Sequence, residues 1–430
     1  MVAVYDMGCE AVNDIEPGKY CIIVDAFSSG SLYAPHFNTL GLKCIHVQSK
    51  RDIKLVASTF KGKDFVVHYQ YNNDIESLVN TLKQYNPLFI LPGFHTSVFL
   101  AEELGTRLNI PSNSSKSTQI RMDKFLMHTR LKQRGLNYAR GFLVNSRDEI
   151  LTRFKHEFKG KPVVVKPSNS AGSDSVFLCK DGNEVVRAFE TIISEVNAMD
   201  VVNEKVLIQE YLEGTEYIVN SVTFQGRHII TDIWRSDKIK SNGTDFIYDK
   251  TVILEAEGDV QNELSTYNKQ VLDAVEFTFG ACHNELIYTE RGPVLIEINP
   301  RVSGGHLPEI AYECTGMGQI MWVRNVISDL MTGKKVEKPV HYNLYKKACS
   351  VCLISRHEGI VRGYKNLEKI KSLRSYHGMD IRVGIGERLV KTVDVWTGPG
   401  MVVLIHEDPK VIEEDYKEVR EFEEGLFDLE

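Results

Sequence analysis

The chain has 430 residues, of which 43% are apolar and 25% charged, and its net charge is -7. That length admits roughly two to four domains with sizeable cores. The acidic balance and the lack of a long Lys/Arg stripe exclude a nucleic-acid ligand, no apolar run is long enough to span a bilayer, and the opening MVAVYDMGCEAVNDIEPGKY does not read as a signal peptide, so a cytoplasmic address is expected.

Tyr20–Asp25 predicts a buried strand, and the small-residue turn Phe27–Ser31 follows it. Further strands are expected at Lys43–Val47, Phe65–His68 and Leu88–Leu91, with helices over Asp74–Tyr85 and Thr96–Leu108. This βαβ series specifies a parallel sheet covered by helices. Ser28–Ser31 reads as a tight turn, with a ligand seat at the carboxyl edge of the sheet as the alternative.

A polar linker, PSNSSKST at 111–118, separates this part from a helix expected over Arg121–Arg134 and stopped by Gly135. Strands at Gly141–Val144, Pro162–Lys166, Val176–Cys179 and Lys205–Glu210, with a helix over Asn183–Val196, make a small α+β unit. From Glu216 the pattern becomes antiparallel β, with a turn signal at Asn242-Gly243. A helix is expected over Val260–Phe279, and another over Met317–Met331, with a boundary at Gly333–Pro339. The last ninety residues read as short strands and turns that end in a charged helix, Pro409–Gly425. The eight cysteines, Cys9, Cys21, Cys44, Cys179, Cys282, Cys314, Cys349 and Cys352, read as free thiols, because no second pair completes a zinc site with Cys349 and Cys352.

The chemistry concentrates in ELIYTERGPVLIEINPRVSGG at 285–305. Glu285 is expected just before a short strand, and Glu297 and Asn299 lie two apart on the next one, so both point to one face. A hairpin brings Glu285 beside them. Two carboxylates and an amide are hard oxygen ligands suited to Mg²⁺ shared with phosphates. Glu297 interrupts an apolar strand, where an unpaired carboxylate is costly. Arg301 follows, placed for developing phosphate charge. Lys166 ends the apolar strand VVVKP and precedes the Ser/Gly loop Ser168–Ser175, whose backbone N–H groups suit phosphate oxygens. In VLIQEYLEGTE, the edge at Gln209, Glu210, Tyr211 and Leu212 suits a flat base, and Glu216 a ribose; an edge strand with exposed Glu is the alternative.

In that order, these motifs resemble the ATP-grasp superfamily, and within it the L-amino acid ligases, over roughly residues 20–335. INPRVSGGH at 298–306 and GPGMVVLIHEDPKVI at 398–412 carry the narrower likeness, although the arginine that D-alanine ligases place shortly before the paired acidic ligands is missing. The resemblance implies an N-terminal parallel βαβ domain (1–115), a small lid domain (116–211), a large catalytic domain (212–338) and a C-terminal antiparallel β-rich extension (339–430).

It also implies roles. Lys124 and Lys166 contact the nucleotide phosphates, and Ser170, Gly172 and Ser173 belong to the loop that covers them. Gln209, Glu210, Tyr211 and Leu212 hold adenine, partly through backbone, and Glu216 the ribose. Glu285, Glu297 and Asn299 coordinate Mg²⁺, with Mn²⁺ as a substitute. Arg301 stabilises an acyl phosphate formed from ATP and a substrate carboxylate, which an amine then attacks. Gly304, Gly305 and His306, with Trp234 and Arg235, are the candidate amino acid contacts; a surface histidine and a surface ion pair are their alternatives. The family also implies a homodimer. The competing readings are a carboxylase or purine-biosynthesis-type ligase on the same fold, and a nucleotide-binding module without turnover.

Overall fold

A computed structural model describes residues 18–50, 56–170, 174–197, 201–334 and 341–430. Gly172, Ser173 and Cys9, and most of the boundary expected at 333–339, lie outside them. The first unit is a four-stranded parallel sheet of β1 (Tyr20–Val24), β2 (Lys43–Gln48), β3 (Val67–Gln70) and β4 (Ile90–Pro92), in the order β3-β2-β1-β4. Every residue of β1 is buried, as expected of a strand covered on both faces. The connecting helices are α1 (Tyr33–Asn38), α2 (Ile75–Lys83) and α3 (Val98–Leu108).

At the carboxyl edge of this sheet, the loops after β1 and β4 touch backbone to backbone. A Cβ on Gly30 would stand 2.3 Å from the Gly93 carbonyl oxygen, so only glycine permits the approach. The contact precedes Phe94-His95, and His95 Nδ1 lies 3.3 Å from Asn299 Oδ1.

The helix expected over Arg121–Arg134 is two helices, α4 (Thr118–Met122) and α5 (Lys124–Gln133). Asp123 breaks it: its carboxylate accepts from the Leu126 N–H at 2.9 Å and caps α5, a local bond that competes with helix continuation. Lys124 therefore opens a helix, and its own N–H donates to the Ser168 carbonyl at 3.1 Å.

The second unit is a four-stranded antiparallel sheet, β5-β8-β6-β7, of β5 (Gly141–Val144), β6 (Val163–Pro167), β7 (Phe177–Cys179) and β8 (Val206–Glu210). α6 (Ile150–Phe158) and α7 (Gly182–Ile192) cover it, and α7 stops short of the expected Val196.

An eight-stranded antiparallel sheet dominates the rest. It contains β9 (Thr215–Phe224), β10 (Arg227–Ser241), β11 (Thr244–Ile253), β12 (Phe279–Thr289), β13 (Gly292–Asn299), β14 (Lys347–Leu353), β16 (Tyr376–Ile381) and β18 (Gly400–His406), in the order β13-β12-β9-β10-β11-β14-β18-β16. β15 (Gly359–Tyr364), β17 (Arg388–Leu389) and β19 (Phe427–Leu429) form a small separate sheet. The C-terminal strands thus extend the sheet that carries the acidic hairpin. The helix α8 (Asp259–Ala274) ends before Phe279, which starts β12 instead. An unforeseen helix, α9 (Leu307–Thr315), precedes α10 (Gln319–Thr332); α11 (Leu367–Lys371) and α12 (Pro409–Glu423) complete the chain. All seven described cysteines are free thiols.

Candidate active site

β12 and β13 pair with Glu285 opposite Glu297 and His283 opposite Asn299, so the four side chains share one face. Glu285 lies within β12 rather than before it. The strand runs through His283-Asn284-Glu285, a polar triplet that imitates a loop in sequence, because the His283 and Asn284 side chains are bonded to β9 and α8. The Asn284 amide donates to Asn268 at 2.6 Å, and His283 Nδ1 lies 2.9 Å from Asn220 Oδ1.

The Lys124 ammonium lies 2.7 Å from Glu297 Oε2 and donates to the Ser170 carbonyl at 2.5 Å. The Asn299 amide donates to Glu297 Oε1 at 2.9 Å. Burial pushes the Glu297 carboxyl up, but the Lys124 charge and these hydrogen bonds outweigh it and leave the group ionised, well below the usual range. Arg301 donates to the Val302 carbonyl at 2.7 Å and to Asn299 Oδ1 at 3.4 Å, while its buried Nε has no partner.

Lys166 is buried at the end of β6 and makes no side-chain hydrogen bond or ion pair among the described residues. Burial brings its ammonium down to about 7; the neighbouring Lys124 charge adds to this, and Glu297 and Glu285 oppose it. A buried lysine that makes no such contact among the described residues is open to an anion.

Two histidines near the acidic pair were not foreseen. His95 Nδ1 lies 3.3 Å from Asn299 Oδ1, and burial, with Arg301 beside it, pushes its ring down to about 4. His283 Nε2 lies 3.3 Å from Glu285 Oε1, and Asn220, on the other side of the ring, donates to the buried Asp232 at 2.5 Å. The strand period was the available signal for His283, which shares the face of Glu285 two residues on.

These groups line one cleft of about 1580 Å³ that also takes in Gln209, Glu210, Tyr211, Leu212 and Glu216. The Glu210 carboxylate is committed to Arg140 (3.0 Å) and Arg291 (2.5 Å). Glu216 is buried between Lys238 (2.6 Å) and the Tyr248 hydroxyl, which donates to it at 3.1 Å. Gly304, Gly305 and His306 line the same cleft, with His306 Nδ1 3.1 Å from Glu309.

Two expected substrate contacts are corrected. Trp234 is 0% exposed and packs among Leu307, Ile310 and Cys314, while its indole N–H donates to Asp232 at 2.5 Å. The unforeseen α9 covers it. Arg235 does not line the cleft; it is tied to its neighbour Asp237 at 2.9 Å. Trp234→Ala is therefore expected to cost about 3–5 kcal/mol of stability, as a buried aromatic truncation does, read as a lower denaturant midpoint.

The donor set fits a hard divalent cation. Glu285, Glu297 and Asn299 offer oxygen ligands on one face, and no group of three His, Cys, Asp or Glu side chains closes a full cage among the described residues. Such a partial set leaves positions for phosphate oxygens, as Mg²⁺ bound with a nucleotide requires.

Residues 159–309 match the ATP-grasp domain family. Over 425 residues the chain is 31% identical to dapdiamide A synthase of Enterobacter agglomerans, covering 95% of this chain and 96% of that protein. It is 24% identical over 176 residues to a D-alanine–D-alanine ligase of Christiangramia forsetii, covering 39% and 51% of the two chains. The L-amino acid ligase from Bacillus licheniformis has the same fold, with a TM-score of 0.73 at 16% identity over 96% of this chain and all of that one. The chain belongs to the ATP-grasp family. Within that family it is an ATP-dependent carboxylate–amine ligase, an enzyme that forms carbon–nitrogen bonds.

Proposed function

We propose that the two substrates are amino acids, or an amino acid and a related amine, joined through an acyl phosphate as ATP is split to ADP. The observation that carries this reading is the buried Lys166, which makes no side-chain hydrogen bond or ion pair among the described residues, beside the Lys124–Glu297 pair. Its support in sequence is the end-to-end similarity to dapdiamide A synthase.

A substrate carboxylate oxygen attacks the γ-phosphorus of ATP, and ADP leaves. The amine nitrogen then attacks the acyl carbon, phosphate leaves, and the nitrogen loses a proton. Lys124 and Lys166 hold the phosphate oxygens, and Arg301 meets charge that develops on the acyl phosphate and on the adduct. Ser170 would cover the phosphates; Gly172 and Ser173, which continue that loop in sequence, lie outside the described residues. Gln209, Glu210, Tyr211 and Leu212 flank the base. Glu216, oriented by Lys238 and Tyr248, meets the ribose. Glu285, Glu297 and Asn299 would hold Mg²⁺, or Mn²⁺, which would supply positive charge to the transferred group. Gly304, Gly305 and His306 stand where a substrate carboxylate approaches backbone. No helix among the described residues is long and apolar enough to cross a membrane; a cytoplasmic homodimer completes the proposal.

The test is ADP release with Mg²⁺-ATP across single and paired amino acids, with Glu297→Gln as the control. Release confined to particular pairs is expected, and it names the substrates. Silence across the matrix overturns the amino acid reading, and release that depends on bicarbonate turns it into a carboxylase.

A further inference from the structure

The carboxy-terminal strands bring a second wall to the cleft. It begins where the active-site loop ends: a Cβ on Gly305 would stand 4.0 Å from the Met401 methyl group. Met401, on β18, pairs with Asp380 on β16, and Arg382 follows just beyond. Arg382 donates to the Val395 carbonyl at 3.0 Å, which brings in the loop that carries Trp396. Met401, Arg382, Val395 and Trp396 all line the cleft.

That loop is built to hold its shape. The Asp394 carboxylate accepts from the backbone N–H groups of Trp396 (3.0 Å) and Thr397 (2.8 Å) and from the Thr397 hydroxyl (2.8 Å). Asn242, at the turn after β10, donates to the Thr392 carbonyl at 2.8 Å, and the Thr392 N–H donates to the Ser355 carbonyl at 2.9 Å. Yet the pinned loop leaves Trp396 37% exposed at the cleft. An indole held on a fixed backbone with an open face is a contact surface whose ordering cost is already met.

The charges on this wall are answered within it. Arg382 faces Asp380 at 3.4 Å as well as the Val395 carbonyl, Asp394 is taken up by its own loop, and His306 is paired with Glu309. What remains is apolar: the open indole of Trp396, Val395, and the largely buried Met401, whose sulfur takes the Ser350 hydroxyl at 3.7 Å and whose methyl group lies toward Gly305. A charged side chain placed here would lose water and meet Asp380, Arg382 and Glu309 only as members of existing pairs. An aliphatic or aromatic one would gain buried area.

We propose that Trp396, with Met401 as its floor, is a specificity subsite for the apolar side chain of one of the two amino acids. The inference rests on the amino acid ligase reading and narrows its substrate class. Trp396 acts on binding selectivity, away from the phosphate chemistry at Lys166 and Arg301.

The experiment is amino acid-dependent ADP release by the full chain, wild type against Trp396→Ala and Trp396→Phe, over glycine, alanine, leucine, phenylalanine, aspartate and lysine in pairs. Trp396→Ala is expected to raise KM for leucine or phenylalanine about tenfold, with little change for glycine or alanine and an unchanged KM for ATP, since lost apolar contact discriminates by about 1–3 kcal/mol. Trp396→Phe should restore most of the difference. Equal KM values in wild type and Trp396→Ala, or an equal loss with every amino acid, overturn the subsite and leave the ligase reading standing. A wild type whose productive pairs contain no leucine or phenylalanine also overturns it. A wild type silent with every amino acid brings down the amino acid reading, and the subsite with it.

Discussion

Glu297→Gln folds and loses at least about a hundredfold in turnover, the usual cost of deleting one electrostatic contact to a transition state. The substitution is close to isosteric. The amide oxygen can still accept from Lys124, while the amide NH2 takes the place of the oxygen that accepted from Asn299, so the shape is kept at the loss of one hydrogen bond. What disappears is a negative charge that balances Lys124, Lys166 and Arg301 and faces Glu285 across the hairpin. With it gone, the proposed metal site is left with one of its two carboxylates. Nucleotide binding without metal should persist, because the cations that meet phosphate are less neutralised. Dependence on Mg²⁺ should move to higher concentration. Circular dichroism and a melting curve check the fold, and ADP release against Mg²⁺ concentration checks the chemistry. Turnover within about threefold of wild type would sink the assignment, since a metal-ligand loss of that size is far below the expected range.

The parts of this site that were legible in sequence are those where a polar residue breaks an apolar pattern. Glu297 stands out in VLIEIN, and Lys166 in VVVKP, because burial of a charge demands a reason. The hairpin between β12 and β13 follows from strand period and the turn at Gly292. Legibility failed where several polar residues are buried together. His283, Asn284 and Glu285 satisfy each other's neighbours across β9 and α8, so a strand interior carries a loop-like sequence. His95 comes from another sheet altogether and meets Asn299 only because Gly30 and Gly93 let two loops touch. α9 is hidden by the motif it follows: Gly304, Gly305 and His306 read as ligand contacts in a turn, and that leaves Trp234 without the helix that covers it. The break at Asp123 depends on one side chain capping its own backbone in a stretch whose apolar spacing continues.

Lys166→Met should lower kcat/KM for ATP by at least about a hundredfold, by removing a cation preorganised for phosphate in a buried site. Its pH behaviour separates this role from a structural one. In the free enzyme the ammonium is held down to about 7, chiefly by burial. Phosphate binds the charged form, so affinity for ATP should be nearly level below pH 7. Above it, affinity should fall toward tenfold per unit, until the proton is retained only in the complex. Lys166→Arg keeps its charge through this range and should flatten the profile, even if its geometry weakens binding. The stability of the ligand-free protein runs the other way. The unfolded chain binds this proton up to the ordinary lysine value of 10.5, while the folded chain has released it above about 7. Between those values the unfolded state therefore holds more protons, and this group's contribution to stability rises with pH. Binding that weakens with pH while stability grows is a pair of opposite slopes that one buried lysine produces and a surface lysine does not. Isothermal titration of ATP and denaturant melts at matched pH values read both slopes on the same protein, and parallel slopes, or none, would place the phosphate contact elsewhere.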